Sequence, residues 1–159
     1  MGQTIELTKE IAASPETVFR ALTDPDELSR WWTTRAESDP RPGGAFNYRF
    51  EFDEQTEQRQ DHGYSGTYDE VVENERVAYP WQARLGETKV DVTLRPSGDG
   101  TTLRLVHSGW GEGGEWPAAV RMHEEGWGFF LENLKTYLER GEDRRAAAMG
   151  MKTPAAMTG

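Results

Sequence analysis

Alternating aromatic residues in the middle of the chain constrain its fold more than any other feature. Between Ala45 and Asp53 every second side chain is aromatic and those between are mostly polar; the aromatic positions are Phe46, Tyr48, Phe50 and Phe52. Because successive side chains of a β-strand point to opposite faces, this segment predicts a strand with an aromatic wall on one side. So large an apolar wall must be covered, and the sheet therefore needs a second layer against that face.

Strand-like alternation occurs in several other segments. Ile5, Leu7 and Ile11 alternate with polar residues near the start of the chain, and residues 54–62 form a polar loop after the aromatic strand. The alternation returns in residues 63–72, 77–85, 90–94 and 103–107, with turn-forming residues between these segments. Consecutive strands joined by short turns predict an antiparallel meander.

Two short helices are predicted after the first strand. Ser14 is followed by Pro15 and an acidic residue, which is the usual start of a helix. Asp24 and Glu27 then have the spacing of a capping box, so a second helix should run to the Trp31-Trp32 pair.

A long amphipathic helix is predicted from Pro117 to Arg140, with Gly141 as its stop signal. Its apolar stripe consists of Val120, Trp127, Leu131, Leu134 and Leu138. Gly126 and Gly128 weaken the helix interior. Either the regular helix begins nearer Trp127, or the backbone approaches another group closely there.

This order of elements predicts an α+β domain over residues 1–141, in which a curved antiparallel sheet of about six strands wraps a long C-terminal helix. Residues 142–159 have no apolar period, and we expect a disordered tail there.

Charge and composition exclude several classes of protein. With 18 Lys plus Arg against 28 Asp plus Glu, the net charge is -10, so nucleic acid and anionic membrane surfaces are poor partners. The chain has no Cys, which excludes disulfides, thiolate-bound zinc and iron–sulfur clusters. The start of the chain carries no targeting signal and no apolar run is long enough to span a membrane, so we expect a cytoplasmic protein.

Several motifs together resemble the Hsp90-ATPase-activator homologue family. They are Ala13 to Pro25, the Trp31-Trp32 pair, Asp39 to Phe46 with its Gly43-Gly44, Gly66 to Val71, Tyr79 with Trp81, Gly100 to Leu103, His107-Ser108-Gly109 and Gly126-Trp127 with the leucines that follow. The resemblance covers roughly residues 4–141. It implies a helix-grip fold of the START/Bet v 1-like (SRPBCC) superfamily, with a cavity between sheet and helix.

The superfamily includes lipid and hormone carriers, polyketide cyclases and aromatases, and a domain of an Hsp90 co-chaperone. The eukaryotic co-chaperone has a separate N-terminal domain that makes much of the Hsp90 contact, whereas this chain begins at the first strand. The resemblance therefore favours a small apolar or aromatic molecule over a chaperone as the partner.

We expect the aromatic wall and the facing helix to line a ligand cavity, since such cavities are mostly apolar with a few polar groups. The predicted ligand-binding residues are Trp32, Phe46, Tyr48, Phe50, Tyr64, Tyr68, Tyr79, Trp81, His107, Trp110, Trp127 and Phe130. Within this set His107 is either a structural hydrogen-bonding residue or a polar anchor for the ligand. Trp110 lies in a glycine-rich segment, residues 109–114, which is either a lid beside the cavity or a plain linker.

Two other functions stay open at this stage. A cyclase-like enzyme could use Tyr48, Tyr68 or His107 for proton transfer, although no catalytic motif is present. A protein-interaction module would need an exposed apolar patch, for which Trp31, Trp32 and Trp110 are the candidates. No cofactor is expected, and the three histidines, of which His62 sits in a polar loop and His123 on the long helix, are too scattered to predict a metal site.

Overall fold

The computed structural model describes residues 3–56 and 59–153 of the chain. The elements in chain order are β1 (Ile5–Ile11), α1 (Pro15–Thr23), α2 (Pro25–Trp31), β2 (Arg35–Ser38), β3 (Ala45–Phe50), β4 (His62–Thr67), β5 (Glu70–Val72), β6 (Arg76–Ala83), β7 (Gly86–Ser97), β8 (Gly100–Ser108), α3 (Trp116–Arg140) and α4 (Arg145–Met149). Antiparallel strands, two short helices after β1 and a long helix near the C-terminus confirm the predicted helix-grip fold. Within the described residues, no helix is long and apolar enough to cross a membrane.

The strands form two hydrogen-bonded sheets, where we had expected one sheet of about six strands. One sheet has the order β1-β8-β7-β6-β5 and the other has the order β2-β3-β4. Strands β4 and β6 face each other across the seam between the sheets without pairing, and on β6 this part of the strand includes Pro80, which has no N–H to donate. The inner face is nevertheless continuous, because the Tyr64 ring of β4 stacks on Trp81 of β6 at a centroid distance of 3.7 Å.

The two short helices start where the sequence indicates. The Ser14 hydroxyl accepts a hydrogen bond from the backbone N–H of Thr17, and the Asp24 carboxylate accepts from the backbone N–H groups of Asp26 and Glu27. The second helix brings Trp31 into the core, where its indole N–H donates to the carbonyl of Ala21.

Helix α3 packs its apolar stripe against the inner face of the sheet, and Trp127, Leu131 and Leu134 are buried there. The helix is regular from Trp116 to Arg140 and is capped by Gly141, which has φ 71°. Neither expectation for its two glycines is met. The helix does not begin late, and a Cβ atom added at Gly126 or Gly128 would meet no atom within 4 Å.

Residues 142–153 correct the expectation of a disordered tail that begins at residue 142. Helix α4 lies in this segment, and Arg145 and Met151 within it are fully buried. The guanidinium of Arg145 donates to the carbonyls of Thr33 and Ser29 at 2.7 Å each and forms a two-point ion pair with Asp143. The tail's remaining residues, 154–159, lie outside the described residues. Hydrogen bonds to main-chain groups of Thr33 and Ser29 hold the segment against the domain. Because these groups are distant in sequence, no local periodicity predicts the contact.

Candidate ligand-binding cavity

A partly open cavity of about 250 Å³ lies between helix α3 and the seam of the two sheets. Its lining is mostly aromatic and consists of Trp32, Phe50, Phe52, Arg59, His62, Tyr64, Trp81, Met122, His123, Gly126, Trp127, Phe130 and Met149. Trp32 contacts several other rings of this lining, since its ring centroid lies within 6 Å of those of Phe50, Trp81 and Trp127. The cavity can therefore take an apolar molecule with flat faces.

Six of the twelve predicted ligand-binding residues line this cavity, namely Trp32, Phe50, Tyr64, Trp81, Trp127 and Phe130. Four others, Phe46, Tyr48, Tyr68 and Tyr79, are buried farther along the same sheet face and pack on one another. The last two, His107 and Trp110, lie outside the lining. Strand alternation and the helical stripe placed the other ten on the inner side of the fold but could not tell which of them border open space.

The tyrosines beyond the cavity form a closed hydrogen-bonded group. The hydroxyl of Tyr68 lies 2.7 Å from the hydroxyl of Tyr48 and 2.7 Å from that of Ser38. Burial raises the pKa of both phenols, well above the usual value for Tyr48. These two groups are thus neutral and engaged with each other, and the structure does not bring them to the cavity as proton donors.

His107 is the centre of a hydrogen-bond chain whose direction is fixed by its ends. The Trp127 indole N–H can only donate and does so to Nδ1 of His107 at 3.0 Å. Nε2 must then carry the ring proton, which it donates to the Thr88 hydroxyl at 2.7 Å. Thr88 in turn donates to the carbonyl of Trp81 at 2.8 Å. Both ring nitrogens are engaged with protein groups.

The electrostatic surroundings of His107 keep it neutral. Burial, reinforced by the neighbouring His123, lowers the pKa of His107 from 6.5 to about 3. Protonation would also place a second hydrogen where Nδ1 now accepts from Trp127. These contacts therefore support a structural role for His107, which holds the indole of Trp127 in place from outside the cavity.

Trp110 packs against the sheet and does not line the cavity. Its side chain is buried, its ring centroid is 4.2 Å from that of His107, and its indole N–H donates to the His107 carbonyl at 2.9 Å. It packs in a small second core with Ile5, Ala83 and Val120. The glycine-rich segment is therefore anchored to the sheet at this residue.

Two histidines that sequence reasoning left out lie in the lining. His123 donates from Nδ1 to the Ala119 carbonyl at 2.8 Å, and His62 donates from Nδ1 to the Gln60 carbonyl at 2.7 Å. Burial lowers the pKa of His123 despite that bond. Within the described residues, no group of three or more His, Cys, Asp or Glu is arranged to hold a metal ion.

The sequence did contain signals for both residues. His123 lies four positions before Trp127, which places the two on one face of a helix. His62 lies two positions before Tyr64, so the two share a face of β4, and the His62 ring stacks on Phe50 at 5.1 Å. The polar surroundings of His62 in sequence concealed this placement.

Gly126 contributes to the cavity through its missing side chain. It lies in the lining on α3, and a Cβ atom there would project into open space. A glycine inside a helix costs about 1 kcal/mol relative to alanine. At this position the missing side chain leaves open space in the cavity.

The C-terminal segment forms one edge of the cavity. Met149 of α4 is in the lining, and Met151 forms a β-bridge with Phe52, another lining residue. The segment is attached by the Arg145 bonds described above and by Lys152, whose backbone N–H donates to the Glu51 carbonyl at 2.8 Å. This segment therefore contributes Met149 to the wall of the site, which the sequence did not indicate.

Comparisons with known proteins support the helix-grip fold and match one protein family. The sequence profile described as "Activator of Hsp90 ATPase homolog 1-like protein" matches residues 12–139. No curated protein of known function matches the sequence at a significant level.

Several solved structures resemble the chain over nearly its whole length. Protein MLL2253 from Mesorhizobium loti has a TM-score of 0.72 at 25% identity, over 88% of this chain and 99% of that one. The Aha1 dimer from Colwellia psychrerythraea gives 0.70 at 26% identity, over 89% of this chain and 99% of that one. DynU16, from the dynemicin biosynthetic locus, gives 0.73 at 23% identity, over 89% of this chain and 49% of that one, which is a likeness of fold alone.

Proposed function

The chain belongs to the family of activator of Hsp90 ATPase homologue 1-like proteins, and on that premise we propose that it binds a small apolar or aromatic molecule in the cavity between its sheet and helix α3. The observation that carries the proposal is the cavity itself, whose walls are mostly aromatic rings and methionines. Aromatic pairs contribute about 0.5–1.5 kcal/mol beyond the burial of their area, so a flat ligand gains from several walls at once.

The size of the cavity narrows the class of ligand. Pockets for drug-sized molecules measure about 300–1,000 Å³, and this one, at about 250 Å³, lies just below that range. One ring or two fused rings fit better than a sterol skeleton. Met122 and Met149 at the edges have flexible side chains that adapt to ligands of different outline.

The two other functions find less support. The proton-transfer groups that a cyclase would use, Tyr48, Tyr68 and His107, lie outside the cavity lining and are hydrogen-bonded to protein groups. The tryptophans that an interaction patch would need, Trp31, Trp32 and Trp110, are at most 4% exposed. Among the described residues the exposed large apolar side chains are Val72 and Met122, which are too few for a patch.

A pair of glycine variants tests the proposal. Gly126→Leu would place a side chain in the cavity, whereas Gly128→Leu adds the same side chain to the same helix outside the lining. The probe is 2-acetylnaphthalene, followed by the indole N–H signals of ¹⁵N-labelled protein. We expect saturable shifts for the wild type and Gly128→Leu, and affinity weakened at least tenfold in Gly126→Leu. Equal binding by the two variants, or no shifts in the wild type, would overturn the proposal.

A further inference from the structure

Trp81 carries a buried hydrogen-bond donor that the protein leaves unpaired. Its side chain is 4% exposed, and among the described residues its Nε1 is the one buried side-chain polar atom without a hydrogen-bond partner. Three other buried indoles, those of Trp31, Trp110 and Trp127, each donate to a protein acceptor at 2.7–3.0 Å. A donor that is hidden from water and unpaired costs free energy, so its persistence calls for an explanation.

The residue that carries this donor is part of the cavity wall. Trp81 is in the lining, and its ring stacks on those of Tyr64, at 3.7 Å, and Trp32, at 5.7 Å. The Tyr64 hydroxyl is near enough to interact with the indole N–H but does not meet hydrogen-bond geometry. An acceptor brought in by another molecule would remove the cost.

Tyr64 is the ring that covers Trp81, and the fold allows it to shift. It is partly exposed, whereas Trp81 and Trp32 are buried. It stands on β4, the edge strand of the three-stranded sheet, which forms no ladder with β6. A small displacement of Tyr64 from Trp81 therefore breaks no main-chain hydrogen bond between the sheets.

We propose that the ligand of this cavity carries a neutral carbonyl or ether oxygen that accepts the Nε1–H of Trp81 while its rings replace part of the Tyr64 stacking. The inference rests on the proposed function and adds the chemical class of the ligand. A neutral acceptor is favoured because a carboxylate beside Trp81 would lose more hydration among the buried rings than one indole N–H restores, and Arg59, the arginine of the lining, is solvent-exposed. An aromatic ketone, quinone or lactone meets the description, and a plain hydrocarbon does not.

Two probes of the same shape test the assignment. 2-Acetylnaphthalene has a carbonyl oxygen where 2-isopropenylnaphthalene has a methylene group, so the difference between them isolates the acceptor. We expect wild-type protein to bind the ketone about tenfold more tightly, which is the size of one buried hydrogen bond. Trp81→Phe removes the N–H and keeps a ring, so the preference should fall to about one while affinity for the hydrocarbon changes little.

A second readout needs no variant. In the wild type the Trp81 indole proton should move downfield with the ketone and not with the hydrocarbon, because only the ketone offers it an acceptor. Equal affinities with no downfield shift would overturn the Trp81 assignment and leave the proposed function standing. Failure of both probes to bind would overturn both.

Discussion

The indole N–H of Trp127 donates to Nδ1 of His107 at 3.0 Å, which fixes the helical wall of the cavity to the sheet through a neutral imidazole. The opposite nitrogen of His107 is held by Thr88, a residue of β7. The rotation of Trp127, and so the shape of the cavity, therefore depends on the protonation state of a residue outside the lining.

Stability should fall in mildly acidic solution because of His107. Its pKa in the folded protein, about 3, lies below its ordinary value of 6.5, so the folded state binds fewer protons than the unfolded state between those values. The stabilisation is complete above pH 6.5 and decreases as the pH falls towards 3. At one pKa unit per about 1.4 kcal/mol, about 2 kcal/mol should be lost between pH 6.5 and 5.

Urea unfolding of wild type and His107→Gln at several pH values checks this prediction. Glutamine keeps a donor and an acceptor but does not titrate, so its unfolding free energy should decline less steeply over that range. Carboxylates contribute to both curves alike. Parallel curves for the two proteins would contradict the assigned pKa.

Removing the indole donor of Trp127 should destabilise the fold and release His107. In Trp127→Phe the Nδ1 atom loses its partner while still buried, which costs about 1–3 kcal/mol. The pKa of His107 should rise, because Nδ1 becomes free to take a proton. Trp116→Phe, at the partly buried start of the same helix, is the control. A His107 Cε1 proton signal that titrates no differently in Trp127→Phe would refute the coupling.

Arg145 should be one of the most sensitive residues of the protein to substitution. Arg145→Met removes the guanidinium from the buried carbonyls of Thr33 and Ser29, and a buried acceptor without its donor costs about 1–3 kcal/mol each. The Asp143 carboxylate, which is partly exposed, keeps the Asn133 amide as a donor. The exposed neighbour Arg144 provides the control, since Arg144→Met should stay within about 0.5 kcal/mol. Similar unfolding midpoints in urea for the two variants would show that the segment does not contribute to stability.

Alanine at either glycine of α3 should stabilise the protein. Gly126→Ala and Gly128→Ala add a Cβ atom that meets nothing within 4 Å, so each should gain about 1 kcal/mol from helix propensity. Thermal unfolding measures both gains. A loss at Gly126 alone would mean that the backbone there needs glycine for a reason other than open space.

The architecture followed from local patterns in the sequence. The alternation of aromatic and polar residues in β3, the capping residues Ser14 and Asp24, and the apolar stripe of α3 each specify an element through nearest neighbours along the chain. The resemblance to a known family indicated how these elements are arranged in the fold. The division into two sheets was not predicted, because the seam at Pro80 depends on how the strands pair in three dimensions.

The site was predictable only in part, because the sequence determines which face a side chain occupies and not what stands in front of it. Phe46 and Phe50 share one strand face, yet the first is covered by Tyr48, Tyr68 and Tyr79 and the second borders the cavity. Tertiary structure alone decided that difference, as it decided the burial of Arg145 and the unpaired state of Trp81 Nε1. Periodicity reports local geometry, whereas open space and hydrogen-bond partners arise from the packing of elements distant in the chain.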